Sequence, residues 1–211
     1  MPRLSRLLAS TILPLAVSLT VTVGCSTADL PFVCPAGTTK DGVPPPWGRR
    51  LECVHLSRTT NEGRPVRQGP SATWFPNGQM RSMRTYEMGQ LNGAVRLWFA
   101  NGKMSRMGQY LNDFKEGEWT EWGIDGVMQC TTNYRRGLMN GPRTFYFASG
   151  RAKSKHVYEQ GILNGPSMSF YPDGAIAEQG TYTNNVKTGL WQKFTPDGRV
   201  LQQQQFSPRR P

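Results

Sequence analysis

The sequence is poor in the residues that catalysis and thick cores require. Its 211 residues include two histidines, His55 and His156, and four cysteines. No HExxH, GxSxG or phosphate-loop motif appears, and no paired-carboxylate motif, so the usual hydrolytic and nucleotide chemistries lack their groups. There is no CxxC and no Cys/His cluster, which removes zinc and dithiol readings. Hydrophobic residues make up 37% of the chain and charged residues 18%. That hydrophobic share argues against a thick two-layer core. A mean hydropathy of −0.53 excludes a polytopic membrane protein. The aromatic share of 10% argues against plain disorder.

Glycine (23), proline (16) and positive charge are plentiful, the last as 25 Lys+Arg against 14 Asp+Glu. A net charge of +11 invites a nucleic-acid or anionic-membrane reading. The distribution argues otherwise. Residues 69–206 carry 15 Lys+Arg and 10 Asp+Glu, and no basic stripe recurs with the repeat described below. No nucleic acid is expected as a partner, and the charge supports at most weak attraction to lipid headgroups.

Residues 1–24 read as an export signal: Arg3 and Arg6, then an uncharged apolar run from Leu7 to Val23 broken by Pro14. Thr22-Val23-Gly24-Cys25 resembles a bacterial lipobox, which would acylate Cys25. By that resemblance, Ser26 directs a Gram-negative lipoprotein to the outer membrane. Ser26-Thr27-Ala28 also has the small-x-small form of general signal-peptidase cleavage, which would release a soluble secreted or periplasmic protein. Acyl chains anchor at about 0.8 kcal/mol per buried methylene. In an oxidising envelope Cys34 and Cys53 are the expected disulfide. Cys130 is left as a free thiol on a strand.

The organising feature is a 24-residue repeat. Gly69, Gly93, Gly117, Gly141, Gly165 and Gly189 are evenly spaced, as are Gly78, Gly102, Gly126, Gly150, Gly174 and Gly198. Numbered from the first glycine, position 6 is aromatic (Trp74, Trp98, Trp122, Tyr146, Phe170, Phe194). Position 18 is aromatic too (Tyr86, Tyr110, Tyr134, Tyr158, Tyr182, Phe206). Such periodicity means a repeat architecture. Pro76-Asn77-Gly78, Pro172-Asp173-Gly174 and Pro196-Asp197-Gly198 are turn chemistry between apolar runs, a β-hairpin signal. Stretches such as Arg136-Gly137-Leu138-Met139-Asn140 mark a second turn per unit. Both glycine series are read as turn glycines.

A three-residue loop closed by a glycine bulge sets position 6 opposite position 12. Strict alternation would then put positions 6, 12 and 18 on one face as a structural aromatic stripe. Phe75, Phe99, Phe147 and Tyr171, at position 7, fall on the other, mixed face and are the candidate binding row. His156, at position 16, reads as a surface substitution. The expected fold is all-β: an elongated, largely single-layer antiparallel meander of about six hairpins. The expected repeats are 69–92, 93–116, 117–140, 141–164, 165–188 and 189–206. Residues 25–68 are read as a linker and disulfide-pinned N-terminal cap, and residues 207–211 as a tail.

The units resemble the bacterial MORN-repeat variant, often grouped under a YwqK-like antitoxin label. Gly117-Glu118-Trp119-Thr120-Glu121-Trp122 and Gly189-Leu190-Trp191-Gln192-Lys193-Phe194 carry the opening of the motif, and Gly180-Thr181-Tyr182-Thr183-Asn184 its close. Two features are sparse: tryptophan at position 3 occurs only as Trp119 and Trp191, and glycine at position 16 only as Gly108 and Gly180. The resemblance implies a scaffold that binds proteins or membranes. Together the signal, repeats and missing catalytic groups point to a non-enzymatic envelope lipoprotein that binds a protein partner. No cofactor or metal is expected, and no catalytic residue. The alternatives are a module that binds glycan or peptidoglycan through aromatic rows, and an antitoxin or immunity-type protein.

Overall fold

The computed structural model describes residues 32–207. The export signal, Cys25 and residues 208–211 of the tail lie outside the described residues. Among the described residues every regular element is a β-strand: β1 (Thr38–Val43), β2 (Arg50–Thr59), β3 (Pro65–Trp74), β4 (Met80–Glu87), β5 (Gln90–Trp98), β6 (Met104–Leu111) and β7 (Phe114–Trp122), then β8 (Met128–Arg135), β9 (Leu138–Tyr146), β10 (Ala152–Glu159), β11 (Ile162–Phe170), β12 (Ile176–Thr183), β13 (Val186–Phe194) and β14 (Val200–Phe206). They form one antiparallel sheet in strict sequence order. The repeats supply β3 to β14. The segment read as a cap adds a further hairpin, β1–β2, to the same sheet, and the Cys34–Cys53 disulfide ties the chain ahead of β1 to β2.

Local chemistry sets the two turn types. Within each repeat a three-residue loop is closed by the position-7 backbone, as where Phe75 N–H donates to Gln79 C=O at 2.8 Å and Phe75 C=O accepts from Gly78 N–H at 3.0 Å. Gly78 takes φ +82°, as the bulged loop demands. Between repeats a two-residue loop has left-handed φ at both residues: Met88 at 49° and Gly89 at 85°, Asn112 at 49° and Asp113 at 67°. This primed turn matches the strand twist, so tight hairpins follow one another without spacer residues.

The register agrees with the sequence reading at one point and corrects it at two. Position 6 pairs with position 12 in all six repeats, from Trp74↔Met80 to Phe194↔Val200. A second irregularity then follows, because position 5 pairs with position 14 (Thr73↔Ser82) and skips position 13. This extra residue reverses the alternation, so position 18 faces away from positions 6 and 12. The first glycine series is also not at turns. Gly93 lies inside β5 with φ +109°, where the register against β4 shifts between Arg84 and Tyr86. These glycines are bulge residues, and within each hairpin they pair with the position-18 aromatic, as Gly69 does with Tyr86.

Candidate functional site

The sheet has two unlike faces. Positions 3, 5, 14, 16, 18 and 23 share face A. Thr73 Oγ1 and Ser82 Oγ lie 2.6 Å apart across positions 5 and 14, and Arg106 pairs with Glu121 at 2.9 Å. Positions 4, 6, 15, 19 and 22 share face B, where Tyr146 Oη lies 3.4 Å from Thr131 Oγ1 across positions 6 and 15. The expected single stripe is therefore two rows. Trp74, Trp98, Trp122, Tyr146, Phe170 and Phe194 run along face B. Tyr86, Tyr110, Tyr134, Tyr158, Tyr182 and Phe206 run along face A.

Face A holds most of the buried side chains, including Val95, Trp119 and Trp191 at position 3, Ser82 and Cys130 at position 14, and Thr132 at position 16. The two tryptophans explain the sparse glycines. A Cβ at Gly108 would collide with the Trp119 indole, and one at Gly180 with that of Trp191. Each indole also meets two position-18 rings edge-on: Trp119 lies 5.1 Å from Tyr110 and 6.3 Å from Tyr134, and Trp191 lies 5.0 Å from Tyr182 and 6.4 Å from Phe206. Trp119 Nε1–H donates to Gln109 C=O at 3.2 Å, and Trp191 Nε1–H to Thr181 C=O at 3.1 Å. Lysines at position 23 cap these clusters. Lys115 Nζ lies 4.5 Å from the Trp119 ring and Lys187 Nζ 3.7 Å from Trp191. Burial, then Arg106, pushes the Lys115 ammonium below its ordinary pKa, against a smaller opposing pull from Glu121.

The position-7 residues Phe75, Phe99, Phe147 and Tyr171 do not form an open binding row. Each closes a three-residue loop through its backbone at 2.8 Å and is half-buried. Tyr171 Oη–H also donates to Phe194 C=O at 2.8 Å. Cys130 is a buried free thiol 3.6 Å from Glu121 Oε2, and burial pushes its pKa up.

Two groupings escaped the sequence reading. On face B the first residue after the two-residue turn, position 22, carries Phe114, Leu138 and Ile162, exposed by 56%, 51% and 40%. Leu111, 50% exposed, pairs directly with Phe114. A Cβ at Gly137 would crowd the Phe114 ring, and Leu138 lies over Gly161, so the apolar residues recur on every second strand, with Arg135 and Glu159 on the strands between. The signal was present as an apolar residue after the turn at the repeat period. On face A, Arg143, His156 and Ser167 lie side by side, with His156 Nδ1 2.9 Å from Ser167 Oγ. Here the signal was the loss of tryptophan and glycine at positions 3 and 16. Among the described residues no three His, Cys, Asp or Glu side chains cluster as a metal site requires.

A family model described as a MORN repeat variant matches residues 163–184, from the end of the fourth repeat through most of the fifth. The match supports a MORN-repeat family and, with it, a repeat-based binding scaffold. No curated protein matches the chain.

Proposed function

We propose that this chain is a non-enzymatic scaffold of the bacterial envelope that binds a protein partner on face B. The observation that carries the reading is the row Leu111, Phe114, Leu138 and Ile162. Large apolar side chains exposed at a regular spacing along one face mark a protein contact, with Arg135 and Glu159 on the strands between to pair with polar groups of the partner. The position-6 aromatics, half-buried except for the buried Trp98, run along the other edge of the same face, so a partner segment lying across the strands would meet two apolar rows with a mixed polar band between them. A one-layer sheet leaves such a face open without loss of its own hydrogen-bonded ladder.

The envelope part of the reading rests on the export signal and the lipobox at Cys25, with the Cys34–Cys53 disulfide in keeping with an oxidising compartment. Mass spectrometry of the mature N-terminus tests it. An acylated Cys25 is expected, and a free Asp29 terminus would replace the lipoprotein by a soluble exported protein. Glycan binding has less support, because the aromatics proposed to stack on sugars, Phe75, Phe99, Phe147 and Tyr171, are half-buried loop-closing residues. No co-sedimentation with purified cell wall is expected.

In-cell crosslinking followed by capture tests the scaffold reading. The full-length chain should retain a crosslinked partner that Phe114→Ser/Leu138→Ser loses. Both side chains are exposed, so that variant should keep its melting temperature. Equal capture by both proteins would refute binding through this row.

A further inference from the structure

Positions 3 and 16 form one row across face A. Trp119 and Trp191 bound a stretch of that row made of Thr132, Arg143, His156 and Ser167. Cα pairing sets Arg143 of β9 beside His156 of β10, and His156 beside Ser167 of β11. Phe145 backs the group, with the Arg143 guanidinium 4.7 Å from its centroid and the imidazole meeting it edge-on at 6.4 Å.

Arg143 has no counterion among the described residues. Its Nε–H is buried with no acceptor among the described residues; beyond that the guanidinium meets two sulfur atoms, Met139 Sδ at 3.8 Å and the Cys130 thiol, and no oxygen anion. Among the described residues it makes no ion pair, while Glu121 is held by Arg106 at 2.9 Å, Glu178 by Lys187 at 3.3 Å and Glu159 by Asn164 at 2.7 Å. Its repeat, residues 141–164, carries four cations and one carboxylate. A partly buried guanidinium with idle donors is costly unless an anion completes it.

We infer that Arg143, His156 and Ser167 form a carboxylate-binding site on face A, opposite the apolar row. The buried Ser167 hydroxyl lies 2.9 Å from His156 Nδ1, and in this assignment it is the donor, so that the ring carries its proton on Nε2. His156 then presents Nε2–H beside the Arg143 fork, and two oxygens of one carboxylate accept from the two residues. Burial, then the Arg143 charge, lowers the His156 pKa, so the ring serves as a neutral donor and Arg143 supplies the charge. The carboxylate belongs either to a free dicarboxylic acid or to an acidic side chain of a peptide.

NMR of the imidazole Hε1 signals of the full chain tests the site, because His55, on β2, is an internal control eight strands away. The probes are glutarate, N-acetyl-triglutamate amide, its triglutamine counterpart and inorganic phosphate. A saturable shift of His156 with His55 unmoved is expected for the carboxylates and not for triglutamine. Response to both carboxylates assigns a free acid as sufficient, and response to triglutamate alone assigns a peptide. Arg143→Gln should abolish the shift, and Ser167→Ala should weaken binding about tenfold by releasing the tautomer. Lys155→Gln removes the same charge from face B and should leave binding unchanged. Parallel movement of both histidines, equal loss in Arg143→Gln and Lys155→Gln, response to phosphate alone, or no response to either carboxylate would overturn the assignment.

Discussion

The indole of Trp119 lies directly on the α-carbon of Gly108, and the same relation recurs 72 residues later between Trp191 and Gly180. A tryptophan at position 3 needs glycine at position 16 of the neighbouring strand, so the two features that look like separate losses elsewhere in the chain are one packing decision. Repeats without the pair fill the row with a long side chain beside a short one: Arg84 between Ser71 and Val95, and later Arg143 beside Thr132.

That relation predicts coupling. Gly108→Ala forces the indole off the sheet and should destabilise the protein by about 1–3 kcal/mol. Trp119→Ala should cost about 3–5 kcal/mol, since the ring is almost fully buried. The double variant should cost clearly less than the sum, because the added methyl enters space the ring has left. Urea unfolding of the four proteins measures this, and additive costs would contradict the packing.

The period, the bulged loop and the pairing of positions 6 and 12 were legible because each rests on a residue type with one job: glycine at φ +82°, proline or asparagine beside it, an aromatic before it. The reversal of faces was not legible. The residue skipped between positions 12 and 14 is Arg81, Ser105, Gln129, Lys153, Ala177 or Leu201, and a bulge of this kind selects no side chain. One unmarked residue moved the tyrosine row to the other face. The β1–β2 hairpin was hidden for a related reason. Its connection, Pro44 to Arg49, and the loop from Thr60 to Arg64 do not follow the repeat spacing. The cluster of Arg143, His156 and Ser167 was hidden because these residues are up to 24 positions apart and meet only through the register of three strands.

The two-residue turns offer a stabilising change. Gln160 adopts φ 49° ahead of Gly161, a left-handed conformation that strains a side chain such as glutamine. Asparagine tolerates it, and Asn-Gly suits the primed turn. Gln160→Asn should raise stability by about 0.5 kcal/mol or more, read as a shift of the urea midpoint without change in slope. An unchanged or lower midpoint would show that the turn is not strained.

The first hairpin depends on its cross-link. Cys34 and Cys53 are 19 residues apart, and closing a loop of that size stabilises by about 3 kcal/mol on chain entropy. Cys53 is buried, and Pro35 packs on Gly69. Cys34→Ser should therefore release the chain ahead of β1 and raise hydrogen exchange in β1 and β2, while the amides of β9 to β13 keep their protection. Uniform loss of protection through β13 would mean that the disulfide supports the whole array and not its end.

His156 should give the array a pH-dependent stability of defined sign. Burial, and after it Arg143 on β9, holds its pKa below the 6.5 of an unperturbed histidine, and β11 offers it only the uncharged Ser167. Between those two pKa values the unfolded chain binds a proton that the folded chain refuses. The stability associated with the neutral ring is therefore present above about pH 6.5, falls as the pH drops through that value, and levels off below the folded pKa. His156→Gln, which borrows the residue at the same position in the last repeat, removes this dependence. Arg143→Gln removes one of the two causes, raises the folded pKa toward the unfolded one and narrows the window, so the decline levels off at a higher pH with less stability lost by pH 5. Melting temperatures between pH 8 and pH 5 measure the effect: the wild-type protein should lose more than His156→Gln across this range, with Arg143→Gln between them. Parallel profiles for the wild type and His156→Gln would show that the ring takes up its proton as readily in the sheet as in the unfolded chain.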